Sequence, residues 1–176
     1  MEQQWIREIQ RKGSRKAADS LIRAYYDEIY RFVYRQTGQK EDAMDLTQSV
    51  FLAMLRALPG YQPEKAAFRT WLYRIATNKV IDARRKKRLE FLPLEDVEIP
   101  DREDFSLQIQ ERSQLAQIED YVSGLDPQLQ AVFRLRLYGE RSFQEIAAAL
   151  GEPEATVKTR YYRLLSKLRK EFDSHV

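Results

Sequence analysis

"RSFQEIAAALGEPEATVKTRYYRLLSKLRK", residues 141–170, decides how the rest of the chain is read. Ser142 followed three residues later by Glu145 forms a capping box, in which hydroxyl and carboxylate satisfy each other's orphan amides at a helix start. Leu150-Gly151 ends that short helix, because glycine takes the left-handed backbone that closes a helical turn. A second helix starts near Pro153, and two helices across a tight glycine-containing turn make a helix-turn-helix. Advancing about 100° per residue gathers Val157, Tyr161, Leu164, Leu165 and Leu168 into one apolar stripe. The opposite face collects Ala155, Thr159, Tyr162, Arg163 and Ser166, with Lys158 on its flank. A small residue, a hydroxyl, an aromatic ring and cationic side chains suit the major groove, where Arg and Lys donate to guanine edges. The bland alternative is a solvated basic helix in a bundle. Capping box, glycine turn and second-helix polarity together weigh against it.

Outward from this motif, helical periodicity dominates and no alternating stretch competes with it, so the fold is predicted to be all-α. A first helix is expected over roughly Ser14 to Thr37, a second over about Lys40 to Leu58 before Pro59-Gly60, and a third over about Phe68 to Arg88. "EFLPLEDVEIPDREDFS", residues 90–106, reads as a linker, with two prolines and little periodicity. Helix resumes near Leu107, and Asp126-Pro127 supplies an N-cap and first-turn proline for the next one. The expected organisation is two small helical domains, 1–89 and 113–176, joined by an acidic linker over 90–112 that spans at most roughly 75 Å.

The chain of 176 residues has no cysteine and a single histidine, His175. Disulfides and thiolate sites therefore have no material, and one histidine next to the C-terminus speaks against a histidine general base or a histidine metal cluster. Carboxylates lie scattered among Lys and Arg. No enzyme activity, catalytic residue, metal, cofactor or small-molecule substrate is expected. The start of the chain lacks a signal-peptide core and no apolar run approaches the roughly 18 residues of a membrane span, which makes the cytoplasm the expected location. Net charge is only +3, but it is segregated. Residues 79–88 carry six basic side chains against Asp82, residues 90–104 seven acids against Arg102, and residues 154–170 six basic side chains against Glu154. Such blocks point to charged partners.

On the second helix Ala43, Leu46, Val50, Met54 and Leu58 form the buried stripe. Asp45, Gln48, Ser49, Leu52 and Arg56 face away, an apolar centre in a polar rim such as protein interfaces use. The third helix, "FRTWLYRIATNKVIDARRKKR" at residues 68–88, has Phe68, Leu72 and Ile75 inward and Trp71, Arg74 and Asn78 along a neighbouring stripe. Cations alone would satisfy duplex phosphates. Aromatic faces become useful when bases are unstacked, and an amide can read the edge of a base taken out of the stack. The aromatic end therefore suits strand-separated nucleic acid, and Arg84 to Arg88 suit its backbone.

These blocks, with "YYDEIYRFVYRQTGQKEDAMDLTQSVFLAML" and "LDPQLQAVFRLRLYGERSFQEIAAALGEPEATVKTRYYRLLSKLR", resemble bacterial extracytoplasmic-function (ECF) sigma factors of the sigma-70 family over nearly the whole chain. The resemblance implies a promoter-specificity subunit with two structured regions. By it, Asp45, Gln48 and Leu52 meet the β′ clamp helices of core RNA polymerase, with the β subunit a further contact. Trp71, Arg74, Asn78, Arg84 and Arg85 engage the melted non-template strand of the −10 element, assisted by the loop 61–67. Lys158, Thr159, Tyr162 and Arg163 read the −35 duplex, and the linker resembles the family's connector near the RNA path. Promoter DNA, core polymerase and an anti-sigma factor are the implied partners. Glu152 and Glu154 depart from the family, which often has uncharged residues there. The reading kept as the alternative is a stand-alone helix-turn-helix regulator that binds duplex DNA as a dimer.

Overall fold

The computed structural model describes residues 1–90 and 107–172, so residues 91–106 of the expected acidic linker and His175 lie outside the described residues, while its last part, 107–112, belongs to a helix. The N-terminal half comprises α1 (Glu2–Lys12), α2 (Arg15–Thr37), α3 (Lys40–Ala57), a 3-10 turn (Leu58–Gly60) and α4 (Phe68–Glu90). The C-terminal half comprises α5 (Leu107–Ser123), α6 (Pro127–Leu137), α7 (Phe143–Leu150) and α8 (Glu154–Phe172). No strand occurs among the described residues, and none of their helices is long and apolar enough to cross a membrane.

Local chemistry sets the boundaries. The Ser14 hydroxyl accepts from Ala17 N to start α2, and Gly38 at φ 70° stops it. Asp126 accepts from the amides of Gln128 and Leu129 ahead of Pro127. Both bonds of the Ser142–Glu145 capping box form, and Gly151 at φ 68° turns the chain from α7 towards α8.

Helix α1 is an addition to the sequence expectation, which began the first helix at Ser14. Its signals are a weak apolar stripe and a glycine stop: Ile6 is buried, Trp5 and Ile9 pack beside it, and Gly13 is left-handed at φ 61°. The Gln10 amide ties α1 to the 3-10 turn by donating to the carbonyls of Leu58 and Tyr61 at 2.9 and 3.1 Å.

The main core joins Leu21, Ile29, Phe32 and Val33 of α2, Ala43, Val50 and Met54 of α3, and Phe68, Leu72 and Ala76 of α4 to Val132 and Leu135 of α6, Ile146 of α7 and Val157 of α8. The C-terminal half has its own cluster of Val122, Phe133, Leu164 and Leu168. Burial on α4 is wider than the predicted stripe. Ile75 is half-buried, whereas Tyr73, Thr77 and Val80 are buried with Phe68 and Leu72. The cause is a second set of neighbours, because α6 and α7 of the C-terminal half pack against α4 on the side that α2 and α3 leave free. Tyr73 sits in this seam with its ring 4.9 Å from Phe32 and the Arg141 guanidinium 4.8 Å above it. Gly139 closes the approach: a Cβ there would meet the Leu135 carbonyl at 2.8 Å and the Tyr73 ring at 3.2 Å.

Candidate nucleic-acid interface

Helix α8 separates its faces cleanly. Val157, Leu164 and Leu168 are buried, while Ala155, Lys158, Thr159, Tyr162, Arg163 and Ser166 are exposed. Tyr162, at 59% exposure, is the most solvent-facing aromatic of this face, and the Phe143 ring supports it from below at 5.9 Å. The Thr159 hydroxyl donates to the Ala155 carbonyl at 2.8 Å, leaving its methyl and oxygen lone pairs outward. The two unusual acids acquire a local explanation. Glu154 holds Lys158 Nζ at 2.7 Å, and Glu152 pairs with Arg160. The Glu154 bond raises the Lys158 ammonium's pKa, so the side chain stays cationic while anchored. Lys158, Thr159, Tyr162 and Arg163 are thus presented together on one face.

The α4 stripe is presented differently. Tyr61, Phe68 and Trp71 form an aromatic cluster, with Tyr61 to Trp71 centroids 4.9 Å apart. Burial, reinforced by the carboxylates of Glu2 and Glu64, pushes the Tyr61 phenol up to about 12. It remains a neutral donor, and its bond to the Ala66 carbonyl at 2.9 Å folds the loop 61–67 onto the cluster. Trp71 is half-buried, and Arg74 and Asn78 are exposed on successive turns. Trp71 and Arg74 open onto a cleft of about 590 Å³ whose far wall is Ala147–Ala149 of α7. Across it Arg74 Nη1 donates to the Ala149 carbonyl at 2.8 Å. Asn78 lies outside this cleft.

The basic run divides. Arg85 is exposed and pairs with Asp82 at 3.2 Å. Arg84 turns inward, where it bonds to the Gln36 carbonyl and meets Glu119 Oε2 at 3.3 Å. The expected −10 set therefore falls into an accessible group, Trp71, Arg74, Asn78 and Arg85, and Arg84, which is committed to the seam between the halves.

On α3, Asp45, Gln48 and Leu52 are exposed as a group, with Leu52 at 55% exposure. Met44 is a further exposed apolar side chain, at 38%, which sequence reading passed over. The spacing Met44, Gln48, Leu52 follows an i, i+4, i+8 stripe and carried the signal. Among the described residues no cluster of His, Cys, Asp and Glu could hold a metal ion.

Comparison with known proteins adds the context. The sigma-70 region 2 family matches residues 21–90, and the sigma-70 region 4 family matches residues 115–168. The ECF RNA polymerase sigma factor SigE of Mycolicibacterium smegmatis is 35% identical over 161 residues, covering 89% of this chain and 62% of that protein. SigW of Bacillus subtilis, also an ECF RNA polymerase sigma factor, is 31% identical over 174 residues, covering 92% of this chain and 91% of its own length. Among solved structures, CnrH in complex with the cytosolic domain of CnrY superposes with a TM-score of 0.61 at 22% identity, covering 99% of each chain. RpoE of Bartonella quintana, in complex with the anti-sigma factor NepR, gives a TM-score of 0.53 at 18% identity over 86% of this chain and 94% of that one. These two share the fold.

Proposed function

This chain belongs to the sigma-70 family, within its ECF RNA polymerase sigma factors, and from that premise we propose how its surfaces divide the work of starting transcription. The protein binds core RNA polymerase and directs it to promoters. Residues 1–89 form the region 2 domain, 90–112 the connector and 113–176 the region 4 domain. On α8, Lys158, Thr159, Tyr162 and Arg163 read the −35 duplex in the major groove, where a good bidentate pair discriminates by about 1–3 kcal/mol. On α4, Trp71 and Asn78 hold unstacked bases of the −10 non-template strand while Arg74 and Arg85 approach its phosphates, a stacked base contributing about 1–3 kcal/mol. Asp45, Gln48 and Leu52 of α3 dock on the β′ clamp helices, and the β subunit is a further contact. An anti-sigma factor is the expected regulatory partner. The chain is assigned no chemistry of its own, and the cytoplasm is its place of work.

The observation that carries this reading is Leu52, an apolar side chain 55% exposed on a helix whose other face is fully packed, within the segment matched by region 2. A stand-alone dimeric regulator would leave residues 21–90 without a role that their match supports. Run-off transcription from pooled genomic fragments with purified core polymerase tests the reading. Added chain is expected to produce discrete promoter-dependent transcripts, and an unchanged transcript pattern overturns it. In the same assay Leu52→Asp is expected to weaken polymerase association by more than about 3 kcal/mol, since it places an unpaired charge in an apolar contact. Its circular dichroism should match the unsubstituted chain. Loss of helicity would show that Leu52 supports the fold instead.

A further inference from the structure

Helix α1 lies ahead of the segment that the region 2 family matches, which begins at residue 21. Its two ends nevertheless reach the aromatic cluster of Tyr61, Phe68 and Trp71 by separate routes. At the C-terminal end the Gln10 amide donates from Nε2 to the carbonyls of both Leu58 and Tyr61, at 2.9 and 3.1 Å. These two carbonyls bracket the 3-10 turn from which the loop 61–67 departs. At the N-terminal end the Glu2 carboxylate accepts from the Tyr25 hydroxyl, and the Tyr25 ring meets Phe68 edge-on at 5.3 Å. Between the ends Ile6 is buried, with Trp5 and Ile9 packed beside it. Glu2 is also among the carboxylates whose charge keeps the Tyr61 phenol neutral. Helix α1 thus lies as a brace along the cluster, fixed to it at both ends.

The loop's own hydrogen bonds are local. Tyr61 N donates to the Leu58 carbonyl at 3.1 Å, Lys65 N to the Gln62 carbonyl at 3.2 Å, and the Tyr61 hydroxyl to the Ala66 carbonyl at 2.9 Å. They give the loop its shape, whereas its seat on α4 depends on the Tyr61 ring, 4.9 Å from Trp71. Gln10 holds the backbone of that same residue from a different helix. Gln62, Pro63, Glu64 and Lys65 are exposed beyond it. Ordering one residue's backbone costs about 1–2 kcal/mol, and a loop fixed beforehand removes that cost from binding. A loop free to shift re-packs around a wrong base, while a fixed one leaves the mismatch unrelieved.

We propose that Gln10 is a positioning residue for promoter choice: α1 braces the loop 61–67 against Trp71, and the two Gln10 bonds set how strictly bases of the −10 strand are distinguished. The proposal rests on the assignment of Trp71 and its loop to the −10 strand made above, and adds to it a helix that touches no nucleic acid itself. Gln10 acts through the Tyr61 backbone, and α1 packs on α2 and the 3-10 turn. The −35 face of α8 is therefore an internal reference that the brace does not govern.

Gln10 is exposed, so substitutions there open no cavity. The test is run-off transcription by core polymerase with the full chain, on a promoter selected with the unsubstituted protein. Copies of that promoter carry one changed base in either the −10 or the −35 element. Gln10→Glu keeps the shape but sets an acceptor against two carbonyls, and Gln10→Ala removes the group. Both are expected to lower the ratio of selected to −10-changed transcript at least about fivefold, the worth of roughly one net hydrogen bond. The −35 ratio and the helicity by circular dichroism should stay as they were. Gln10→Lys returns a donor within reach and is expected to bring the −10 ratio back to within about twofold of the original. An unmoved −10 ratio in Gln10→Ala and Gln10→Glu overturns the proposal. So does an equal fall in both ratios, or a Gln10→Lys protein as lax as Gln10→Ala, because either result leaves Gln10 a merely structural role. If the unsubstituted chain yields no promoter-dependent transcript, the sigma-factor reading itself fails and the proposal falls with it. A normal transcript with an unmoved ratio strikes Gln10 alone.

Discussion

Helices α4 and α8 are both basic, and both carry an aromatic side chain among polar ones, yet they sit in the molecule in opposite ways. Helix α8 is packed on one side only, by α6 and α7, and its polar face is open along its length. Helix α4 is packed on both sides, by α2 and α3 within its own half and by α6 and α7 across the seam. The difference teaches that a basic helix can be left open along one face or enclosed on both, and that its composition does not say which. What decides is whether a second neighbour has a use for the same face. Tyr73 and Arg84 answer that for α4, since both point into the seam rather than outward.

The sharpest way to break this comparison is to remove the carboxylate at its centre. Glu119→Ala leaves Arg134, fully buried, and the partly buried Arg84 facing each other without a counter-charge. Burial already lowers the Arg134 pKa and Arg84 lowers it further, with Glu119 opposing both. Removing one partner of such a pair costs about 3–5 kcal/mol. Urea unfolding is expected to lose stability on that scale. A loss below about 1 kcal/mol would mean that water reaches the seam freely and that α4 is less enclosed than α8's packing makes it look.

The next largest effects separate the two surfaces proposed to bind nucleic acid. Trp71→Ala removes the stacking face and its contacts with Tyr61 and Phe68. It is expected to cost about 1–3 kcal/mol of single-strand binding per base lost from the stack, and also to lower the melting temperature. Arg163→Ala is expected to cost about 1–3 kcal/mol of −35 duplex binding if the contact is bidentate to a base, with the melting temperature unchanged because Arg163 is exposed. Equal thermal effects from the two substitutions would erase the distinction between an enclosed and an open surface.

Much of this was legible in the sequence, for physical reasons that also mark the limit. The helix-turn-helix was readable because its signals are local: the Ser142–Glu145 box, Gly151 and the apolar stripe from Val157 lie within a short span and all appear as expected. The outward faces of α3 and α8 were readable because each helix packs on one side, so a single wheel suffices. The α4 wheel captured Phe68, Leu72 and the exposure of Asn78, but not the burial of Tyr73 or the inward turn of Arg84. Those depend on Gly139, Arg141 and Glu119, which are distant in sequence and belong to the other half. A linker read as a spacer gave no hint that the halves would pack. Helix α1 was missed because its apolar residues are few and its flanks strongly polar.

The smallest effect falls on the open side of the comparison, where the capping box fixes how α7 presents α8. Ser142 N donates to Glu145 Oε2 at 2.8 Å, and Glu145 N donates to the Ser142 hydroxyl at 3.1 Å. Burial alone would raise the Glu145 carboxyl, but the backbone and hydroxyl bonds of Ser142, with Arg141 nearby, outweigh it and leave the pKa below the ordinary value. A carboxylate depressed in the folded state stabilises above its unfolded pKa, and that contribution disappears as pH falls through the folded value. Ser142→Ala removes the hydroxyl and is expected to cost about 1 kcal/mol at neutral pH. In urea titrations repeated at decreasing pH, the gap between the two proteins should narrow once Glu145 protonates, because the part of the box that relies on its charge is then lost to both. A gap that stays constant into acid would assign the cap to the hydroxyl alone and leave the carboxylate to its ion pair with Arg141 at 3.3 Å.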